Sequence, residues 1–255
     1  MRPGQFNPPD FRYMRDIKPQ EDPHMPNLVF PATPAPTVPI AGEDAVYPVR
    51  RIFCVGRNYA DHAKEMGVEV DREAPFYFTK SCHALQPTDT TTPYPPGTSN
   101  FHYEMELVVA LGAPIFRGTE VEAMTAVFGF ACGLDMTRRD LQLAERARQR
   151  PWDTGKDVEH SAVIAPLSRA ASFGNIGPRR IRLSQNGTLR QDAHLSDMVW
   201  SVPEIIAHLS TLYHLGPGDL IYTGTPAGVG PVQSGDDLAG EIDGLTPIRL
   251  RIGPP

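Results

Sequence analysis

From residue 51 onward, glycine, proline, asparagine and aspartate divide the chain into short apolar segments, and this spacing restricts the fold more than any other feature. Segments of this length are typical of strands, because helices usually extend over about ten residues or more. So many short strands with so few helices predict a β-rich α+β fold, a roll or barrel, and not a doubly wound α/β sheet. The predicted strands span 51–55, 75–80, 103–111, 127–134, 161–167, 219–222, 236–242 and 248–252, and the predicted helices span 59–66, 120–126, 138–148 and 201–213.

Local signals mark the ends of several of these elements. Asn58 stands where a side chain would cap the first helix. Asn186-Gly187 lies between two alternating segments, which predicts a hairpin with a type I′ turn. Ser201 and Glu204 have the spacing of a capping box, which predicts the start of the last helix.

Residues 1–48 differ from the rest of the chain in their density of proline, which continues from Pro8 to Pro48. Proline fixes φ and removes a backbone donor, so this stretch leaves little room for helices or sheet ladders. We predict an N-terminal arm over residues 1–48 that is extended and packed on the main body, or partly disordered. Residues 49–255 are then expected to form one domain.

Composition excludes several classes of partner. A net charge of −6 argues against nucleic acid or an anionic membrane. No stretch reaches the ~18 consecutive apolar residues of a spanning helix, and the N-terminus lacks the apolar centre of a signal peptide. The cysteines, Cys54, Cys82 and Cys132, have no metal-binding spacing and predict free thiols in a reducing, cytoplasmic compartment.

Three carboxylates are candidates for a metal site. Glu104 and Glu106 are two residues apart in a predicted strand, so both side chains should lie on one face of the sheet. Asp135 follows the apolar strand 127–134. Carboxylates on apolar strands repel each other and lose hydration unless a cation compensates them. An all-carboxylate set favours Mg²⁺ or Mn²⁺ over Zn²⁺. A salt-bridged edge strand is the alternative for the two glutamates.

His62 and Glu65 are three residues apart on the predicted first helix, so they share a face. A carboxylate that binds one imidazole nitrogen orients the ring and raises its basicity, as a general base requires. Asp61, Lys64 and Glu65 are all charged, so a solvated helix face remains the alternative.

Two loops complete the candidate chemistry. The connection 151–157 carries Lys156, and loops of this kind often hold functional residues, although a single lysine is usually a surface residue. The glycine-rich segment 222–230 lacks the sequence of a phosphate loop and the glycine spacing of a dinucleotide site. It is typical of backbone that approaches a small ligand closely.

Taken together, these segments resemble the fumarylacetoacetate hydrolase family, with motifs in family order over roughly four-fifths of the chain. The combination is far more specific than any one motif. The matching motifs are 54–62 (CVGRNYADH), 76–80 (FYFTK), 103–107 (YEMEL), 133–142 (GLDMTRRDLQ), Lys156 and 224–230 (GTPAGVG).

The resemblance implies a mixed β-roll catalytic domain, a homodimer, and Mg²⁺ or Mn²⁺ held by Glu104, Glu106 and Asp135. It also implies that His62 and Glu65 form a water-activating pair on a short lid helix. Lys156 would then face the substrate, Arg139 would bind its α-carboxylate, and Gln142 and Thr225 would complete the polar lining.

Two further expectations concern single residues. Gly155 precedes Lys156 where relatives often have a bulkier residue, which predicts a mobile loop. A substrate with a second carboxylate would need a second cation. Lys80 and Arg57 are the candidates, because Arg138 should point away from Arg139 on a helix.

The expected function is hydrolysis of a carbon–carbon bond in a 2,4-diketo acid, with fumarylpyruvate as the favoured substrate. The same metal chemistry would also serve a 2-oxo-acid decarboxylase or a diene-dioate isomerase, neither of which needs an attacking water. Both His62 and Glu65 are present, which favours hydrolysis. A non-catalytic binding protein on this fold is the remaining alternative.

Overall fold

The computed structural model describes residues 28–67 and 72–255. The chain divides into two compact units, Met1–Pro34 and Ala35–Pro255. Of the first unit only residues 28–34 are described, and all of them are exposed. Every helix and strand named below belongs to the second unit.

Strands outnumber helices, and most of them are short. The strands are β1 (Thr37–Pro39), β2 (Val46–Pro48), β3 (Arg51–Gly56), β4 (Phe76–Lys80), β5 (Leu85–Pro87), β6 (Thr90–Pro93), β7 (Phe101–Tyr103), β8 (Met105–Leu111), β9 (Val127–Asp135), β10 (Thr137–Arg138), β11 (Ala162–Ile164), β12 (Ser168–Arg169), β13 (Arg180–Gln185), β14 (Thr188–His194), β15 (Asp219–Tyr222), β16 (Gly230–Val232), β17 (Asp237–Ile242) and β18 (Ile248–Gly253). The helices are α1 (Ala60–Glu65), α2 (Glu120–Thr125), α3 (Arg139–Ala147), α4 (Asp153–Lys156), α5 (Ala170–Phe173) and α6 (Val202–Leu212). Within the described ranges, no helix has the length and apolarity needed to cross a membrane.

The largest sheet has the order β4-β3-β15-β8-β9-β11-β5, with β12 also paired to β9. It is mixed, since β15 runs parallel to β3 and antiparallel to β8. Its central strand β8 is buried along its whole length. Leu107 and Val109 pack into a large cluster on one face, whereas Val108 and Ala110 pack into a smaller cluster on the other. Burial on both faces explains why this segment is apolar from Leu107 to Leu111.

The described residues form three further sheets, the smallest of which is the pair β1-β2. A five-stranded sheet has the order β14-β13-β17-β18-β6, and a three-stranded sheet has the order β10-β7-β16. Along β17 and most of β18, buried and exposed residues alternate, so one face of the five-stranded sheet contacts the core and the other contacts solvent. The two larger sheets are mixed and the helices are few, which confirms the predicted β-rich α+β class.

The predicted strand 103–111 is two strands, which is a correction to the sequence analysis. β7 ends at Tyr103 in the three-stranded sheet, and β8 begins at Met105 in the central sheet. Between them, the carbonyl of Glu104 accepts the amide of Asp135 at 2.9 Å, and the amide of Met105 donates to Gln191 Oε1 at 3.0 Å. The chain therefore changes sheets at Glu104, beside the end of β9.

Of the predicted signals at the ends of elements, two are confirmed and one is wrong. The Ser201 and Glu204 capping box is present, and Asn186 and Gly187 both have positive φ, at 52° and 75°, as a type I′ turn requires. The prediction that Asn58 caps α1 is wrong, because the cap position is Tyr59 and has no side-chain bond.

Asn58 instead joins three segments of the chain. Its Nδ2 donates to the carbonyls of Thr223 and Trp200 at 2.8 and 3.0 Å, and its Oδ1 accepts the amide of Trp200 at 2.7 Å. It is fully buried. The asparagine therefore ties the start of α1 to the segment after β15 and to the start of α6.

The proline-rich stretch contains a ladder, contrary to the expectation that its prolines exclude one. β1 and β2 pair antiparallel, and Pro39 and Pro48 stand at strand ends, where a missing donor is tolerated. Tyr47 of β2 is buried, and its hydroxyl donates to the carbonyl of Leu111 at 2.7 Å. Residues 1–27 lie outside the described residues, so the extent of the arm stays a prediction.

Candidate active site and metal centre

The candidate site is a cavity where the start of β8, the end of β9 and the helices α1, α3 and α4 meet. Most of the residues that the sequence predicts for the site line it, but Glu65, Lys80 and Asp135 are not part of the lining. The lining includes Arg57, His62, Glu104, Glu106, Arg139, Gln142, Lys156 and Thr225, together with Phe78, Leu143, Arg146 and Trp152.

The three predicted metal ligands converge. One carboxylate oxygen of each of Glu104, Glu106 and Asp135 lies within 4.8 Å of the others, and all three residues are buried. β8 and β9 run antiparallel, with Glu106 opposite Gly133, so the start of one strand meets the end of the other. Glu104 lies outside β8 but two residues before Glu106, and both side chains reach the same side of the sheet.

The electrostatics of the three acids differ. Burial raises the pKa of Glu106 well above its usual value, and the charges of Asp135 and Glu104 raise it further. Burial would also raise the pKa of Glu104, but the charges of Lys156 and Arg139 outweigh burial and lower it. Glu106 forms no ion pair within the described residues, and its Oε2 accepts only the amide of Gly224, at 2.7 Å.

Cationic side chains hold the other two carboxylates in place. Lys156 Nζ donates to Glu104 Oε2 at 2.8 Å and to Asp135 Oδ2 at 2.6 Å. Arg139 Nη2 donates to Glu104 Oε1. Burial would lower the pKa of Lys156, but the charges of Asp135 and Glu104 raise it, so the lysine is protonated here.

The donor set suits a hard divalent cation. It consists of carboxylate oxygens alone, which Mg²⁺ and Mn²⁺ prefer. Asp135 Oδ1 lies 2.8 Å from Lys80 Nζ but accepts no well-directed hydrogen bond, although it is buried. Glu106 has no cationic partner among the described residues. A divalent ion would supply the charge and the coordination that these two groups lack.

Lys80 lies beneath the site and does not line the cavity. Its side chain has no exposed area. Besides Asp135, its ammonium group binds Ser161 Oγ at 2.8 Å and the carbonyls of Met136 and Lys156. The expectation that Lys80 reaches a distal carboxylate is therefore at odds with the structure, because this ammonium group is already surrounded by protein oxygens. It anchors Asp135 and the backbone of Lys156.

His62 and Glu65 form the expected pair. His62 Nδ1 lies 3.2 Å from Glu65 Oε2, and the imidazole side chain is only 9% exposed. A hydrogen bond in which Nδ1 donates leaves Nε2 as the basic nitrogen. Both oxygens of Glu65 accept the amide of Gly228 at 3.2 Å. The glycine-rich loop thus fixes the carboxylate that orients His62.

One face of α3 forms a wall of the cavity. Arg139, Gln142, Leu143 and Arg146 follow the i, i+3, i+4, i+7 spacing of a single helix face, and all four line the cavity. Arg139 Nη1 donates to Gln142 Oε1 at 2.5 Å. Arg138 points elsewhere and donates to the carbonyls of Thr154 and Pro96, each at 2.9 Å.

Lys156 and Gly155 differ from expectation. The segment carrying them is the short helix α4, and Lys156 is buried rather than on the surface. A Cβ at Gly155 would lie 2.7 Å from the amide nitrogen of Gln142 and 2.8 Å from its Cα. The glycine therefore lets α4 pack directly on α3, and the prediction that it makes the loop mobile is wrong.

Sequence reasoning missed two residues of the site. Gln191 of β14 is fully buried, and its Nε2 donates to Thr225 Oγ1 and to the carbonyl of Pro226, both at 2.8 Å. Its sequence neighbourhood gives no sign of this role. Arg146 was detectable, because it lies seven residues after Arg139 on the same helix face.

We expect Glu106→Gln to remove metal binding without harming the fold. The amide keeps the shape of the side chain but removes the one carboxylate without a cationic partner, so apo Glu106→Gln should be at least as stable as the apo wild type. Mn²⁺ affinity, measured by titration calorimetry, should fall by at least the roughly 100-fold that loss of a hydrogen-bonded neighbour of a ligand can cost. Mn²⁺ should also no longer raise the melting temperature.

The matched control is Glu159→Gln, which alters an exposed glutamate. It should bind Mn²⁺ as the wild type does. Unchanged Mn²⁺ affinity in Glu106→Gln would show that the three carboxylates are not the binding site.

We expect Gly155→Ala to destabilise the protein by about 1–3 kcal/mol, the usual cost of overpacking, because the new methyl group would overlap the backbone of Gln142. The free energy of unfolding from urea titration measures the effect. Gly216→Ala is the control, since a Cβ there would have no contact closer than 3.7 Å. Equal stability of both variants would mean that α4 is loosely packed.

Comparisons with known proteins agree with this geometry. A family model described as fumarylacetoacetate (FAA) hydrolase C-terminal matches residues 51–253. The chain is 50% identical to a fumarylpyruvate hydrolase of Ralstonia sp over 194 residues, covering 74% of this chain and 99% of that protein. It is 38% identical to an oxaloacetate tautomerase of Escherichia coli (strain K12) over 199 residues, covering 78% of this chain and 90% of that protein.

Among solved structures, the fold is similar to that of fumarylpyruvate hydrolase from Pseudomonas aeruginosa, crystallised in complex with Mn²⁺ and pyruvate. The TM-score is 0.86 at 43% sequence identity, and the match covers 90% of this chain and 100% of that chain. The matched family model spans most of the chain, and the relatives are covered almost completely. This chain therefore belongs to the fumarylacetoacetate hydrolase family.

Proposed function

We propose that this protein hydrolyses the carbon–carbon bond of an acylpyruvate, with fumarylpyruvate as substrate and fumarate and pyruvate as products. The observation that carries the proposal is that His62, paired with Glu65, lines the same cavity as Glu104 and Glu106 of the buried carboxylate cluster. The relatives support it, since the Ralstonia protein is named for this reaction and the Pseudomonas structure contains Mn²⁺ and pyruvate.

The cofactor of the proposed reaction is Mg²⁺ or Mn²⁺, held by Glu104, Glu106 and Asp135. When bound, the ion would act as a Lewis acid toward the α-keto-acid end of the substrate. Arg139 would bind the α-carboxylate, because its buried Nε–H has no partner among the described residues and a charged guanidinium group is a strong donor to a carboxylate. Gln142 and Thr225 would complete the polar lining at this end.

His62 would act as the general base. With Nδ1 held by Glu65, its Nε2 takes a proton from a water molecule, and the water oxygen bonds to the C4 carbonyl carbon. Lys156 faces the cavity and would stabilise the negative charge that develops on the C4 oxygen. The C3–C4 bond then breaks, C3 receives the proton that His62 had taken from the water, and the two acids leave. That α1 closes over the substrate as a lid stays a prediction.

Oxaloacetate tautomerisation is the second candidate, favoured by the 38% identity to the Escherichia coli enzyme. A decarboxylase or diene-dioate isomerase would use the same carboxylates. Tautomerisation, decarboxylation and isomerisation do not need an attacking water. The position of His62 beside Glu65, which suits activation of a water, therefore supports hydrolysis. A purely binding role would leave both this pair and the buried acid cluster without a purpose.

The proposal extends to the setting of the enzyme. A role in aromatic catabolism, in the gentisate pathway, would follow from fumarylpyruvate as substrate. A cytoplasmic location is supported by the cysteines, all three of which are free. A homodimer remains part of the proposal and is measurable by light scattering after size-exclusion chromatography.

We expect His62→Ala to lower the rate of fumarylpyruvate hydrolysis by roughly 10²–10⁴-fold, the usual contribution of a positioned acid–base group. Mn²⁺ affinity should not change, because His62 is not one of the converging carboxylates. Both quantities can be measured on the same purified variant, by loss of the diketo-acid absorbance and by calorimetry. His83→Ala, at an exposed histidine, serves as the control.

Two outcomes would contradict the proposal. Full hydrolytic activity in His62→Ala would remove the general base from the mechanism. A wild type that cleaves no acylpyruvate measurably, together with a His62→Ala variant that no longer tautomerises oxaloacetate, would assign His62 to the tautomerase reaction instead.

A further inference from the structure

Two arginines of the cavity lining have no anionic partner among the described residues. Arg57, in the connection from β3 to α1, and Arg146, on α3, are both half-buried. Neither forms an ion pair with a carboxylate in the part of the chain that the structure describes. The other cations of the lining, Arg139 and Lys156, are each paired with a metal-site acid.

The pair is electrostatically unfavourable as it stands. Burial lowers the pKa of Arg57, and the charge of Arg146 lowers it further, because like charges disfavour each other's ionised form. Within residues 28–67 and 72–255, the side chain of Arg146 forms one hydrogen bond, a long one to the carbonyl of Met66 at 3.4 Å. The repulsion between the two cations costs stability, so an anionic ligand is the natural reason for the arrangement.

The position of the pair suits the far end of a substrate. Arg146 lies two helical turns after Arg139, about 10 Å along the axis of α3 at 1.5 Å per residue. Arg139 neighbours the carboxylates, and Arg146 therefore marks the opposite end of the same wall. An elongated molecule with its α-carboxylate at Arg139 would extend along this wall toward Arg146.

Aromatic side chains surround the two arginines. The guanidinium of Arg57 lies 5.5 Å from the ring centre of Phe76 and 5.8 Å from that of Trp152. Trp152 and Phe78 line the cavity beside both arginines, and a second aromatic cavity continues past the same four residues. Flat walls of this kind accept a planar conjugated chain, and the stacked rings hold Arg57 in place.

We propose that Arg57 and Arg146 form a second carboxylate subsite, which binds the distal carboxylate of a planar dianionic acylpyruvate and selects it over uncharged acylpyruvates. The inference rests on the proposed function, since it names the substrate class of the same site. A carboxylate would accept hydrogen bonds from both guanidinium groups. A neutral acyl group would leave two half-buried cations unpaired, and sites of this kind reject such analogues strongly.

The kinetic test compares fumarylpyruvate with acetylpyruvate, which lacks the distal carboxylate. The wild type should prefer fumarylpyruvate in kcat/KM by about tenfold or more, equivalent to roughly 1.4 kcal/mol. Arg146→Met should lose most of this preference through a lower kcat/KM for fumarylpyruvate, with that for acetylpyruvate nearly unchanged. Arg146→Lys, which keeps the charge, should retain part of it. Arg57→Asn should behave like Arg146→Met, and asparagine tolerates the φ of 60° at this position.

Arg148→Met is the matched control, because Arg148 follows α3 but has a side chain that is 62% exposed and outside the cavity. It should keep the wild-type preference. Equal loss of kcat/KM for both substrates in Arg146→Met, or no loss for either, would overturn the subsite.

A binding measurement separates this inference from the proposed function. Crotonate has the planar trans chain of fumarate with a methyl group in place of one carboxylate. Calorimetry should show that the Mn²⁺-loaded wild type binds fumarate at least tenfold more tightly than crotonate, and that Arg146→Met removes the difference. Equal binding of the two acids by the wild type overturns the subsite. Absence of acylpyruvate cleavage together with a fumarate preference would overturn the proposed reaction and leave the subsite standing.

Discussion

The fold is organised around three carboxylates that are buried together. Taking carboxylates out of water costs several kcal/mol each unless other groups compensate their charge. Lys156, Lys80 and Arg139 supply part of that compensation to Glu104 and Asp135. Glu106 forms no ion pair with a described cation, and burial with its acidic neighbours raises its pKa despite the nearby charge of Lys156. The requirement for a divalent cation follows from this imbalance.

This compensation also explains why distant segments meet. Lys80 ends β4, Lys156 ends α4 and Arg139 begins α3, and each brings its element to the junction of β8 and β9. The neutral residues of the junction have the same effect, since Gln191 joins β14 to the Thr225 loop and to the start of β8. The site is therefore built by contacts between elements that are far apart in sequence.

How far the sequence predicts the structure depends on the range of the interaction. Patterns within one segment were mostly reliable: the Ser201 capping box, the convergence of Glu104 and Glu106, and the short strands other than 103–111 agree with the structure. The family motifs likewise identified the family correctly. Asn58 was misassigned, because its partners Trp200 and Thr223 lie more than a hundred residues away in the sequence.

The same limit applies to the site. No local pattern could show that Lys80 is enclosed beneath Asp135, or that Gly155 is small because it packs against the backbone of Gln142. Arg146 is a different case. Its helical spacing from Arg139 was visible, but only the cavity shows that this helix face is the one that matters.

The central claim is that a water molecule, activated beside a carboxylate-bound metal, cleaves the substrate. The most direct measurement is turnover of fumarylpyruvate in H₂¹⁸O with Mg²⁺ or Mn²⁺, followed by mass spectrometry of the fumarate. The account predicts one ¹⁸O atom in the newly formed carboxylate of each fumarate, and no product after exhaustive chelation of the metal. Cleavage that continues without metal, or a diketo acid that tautomerises but is never cleaved, would contradict it.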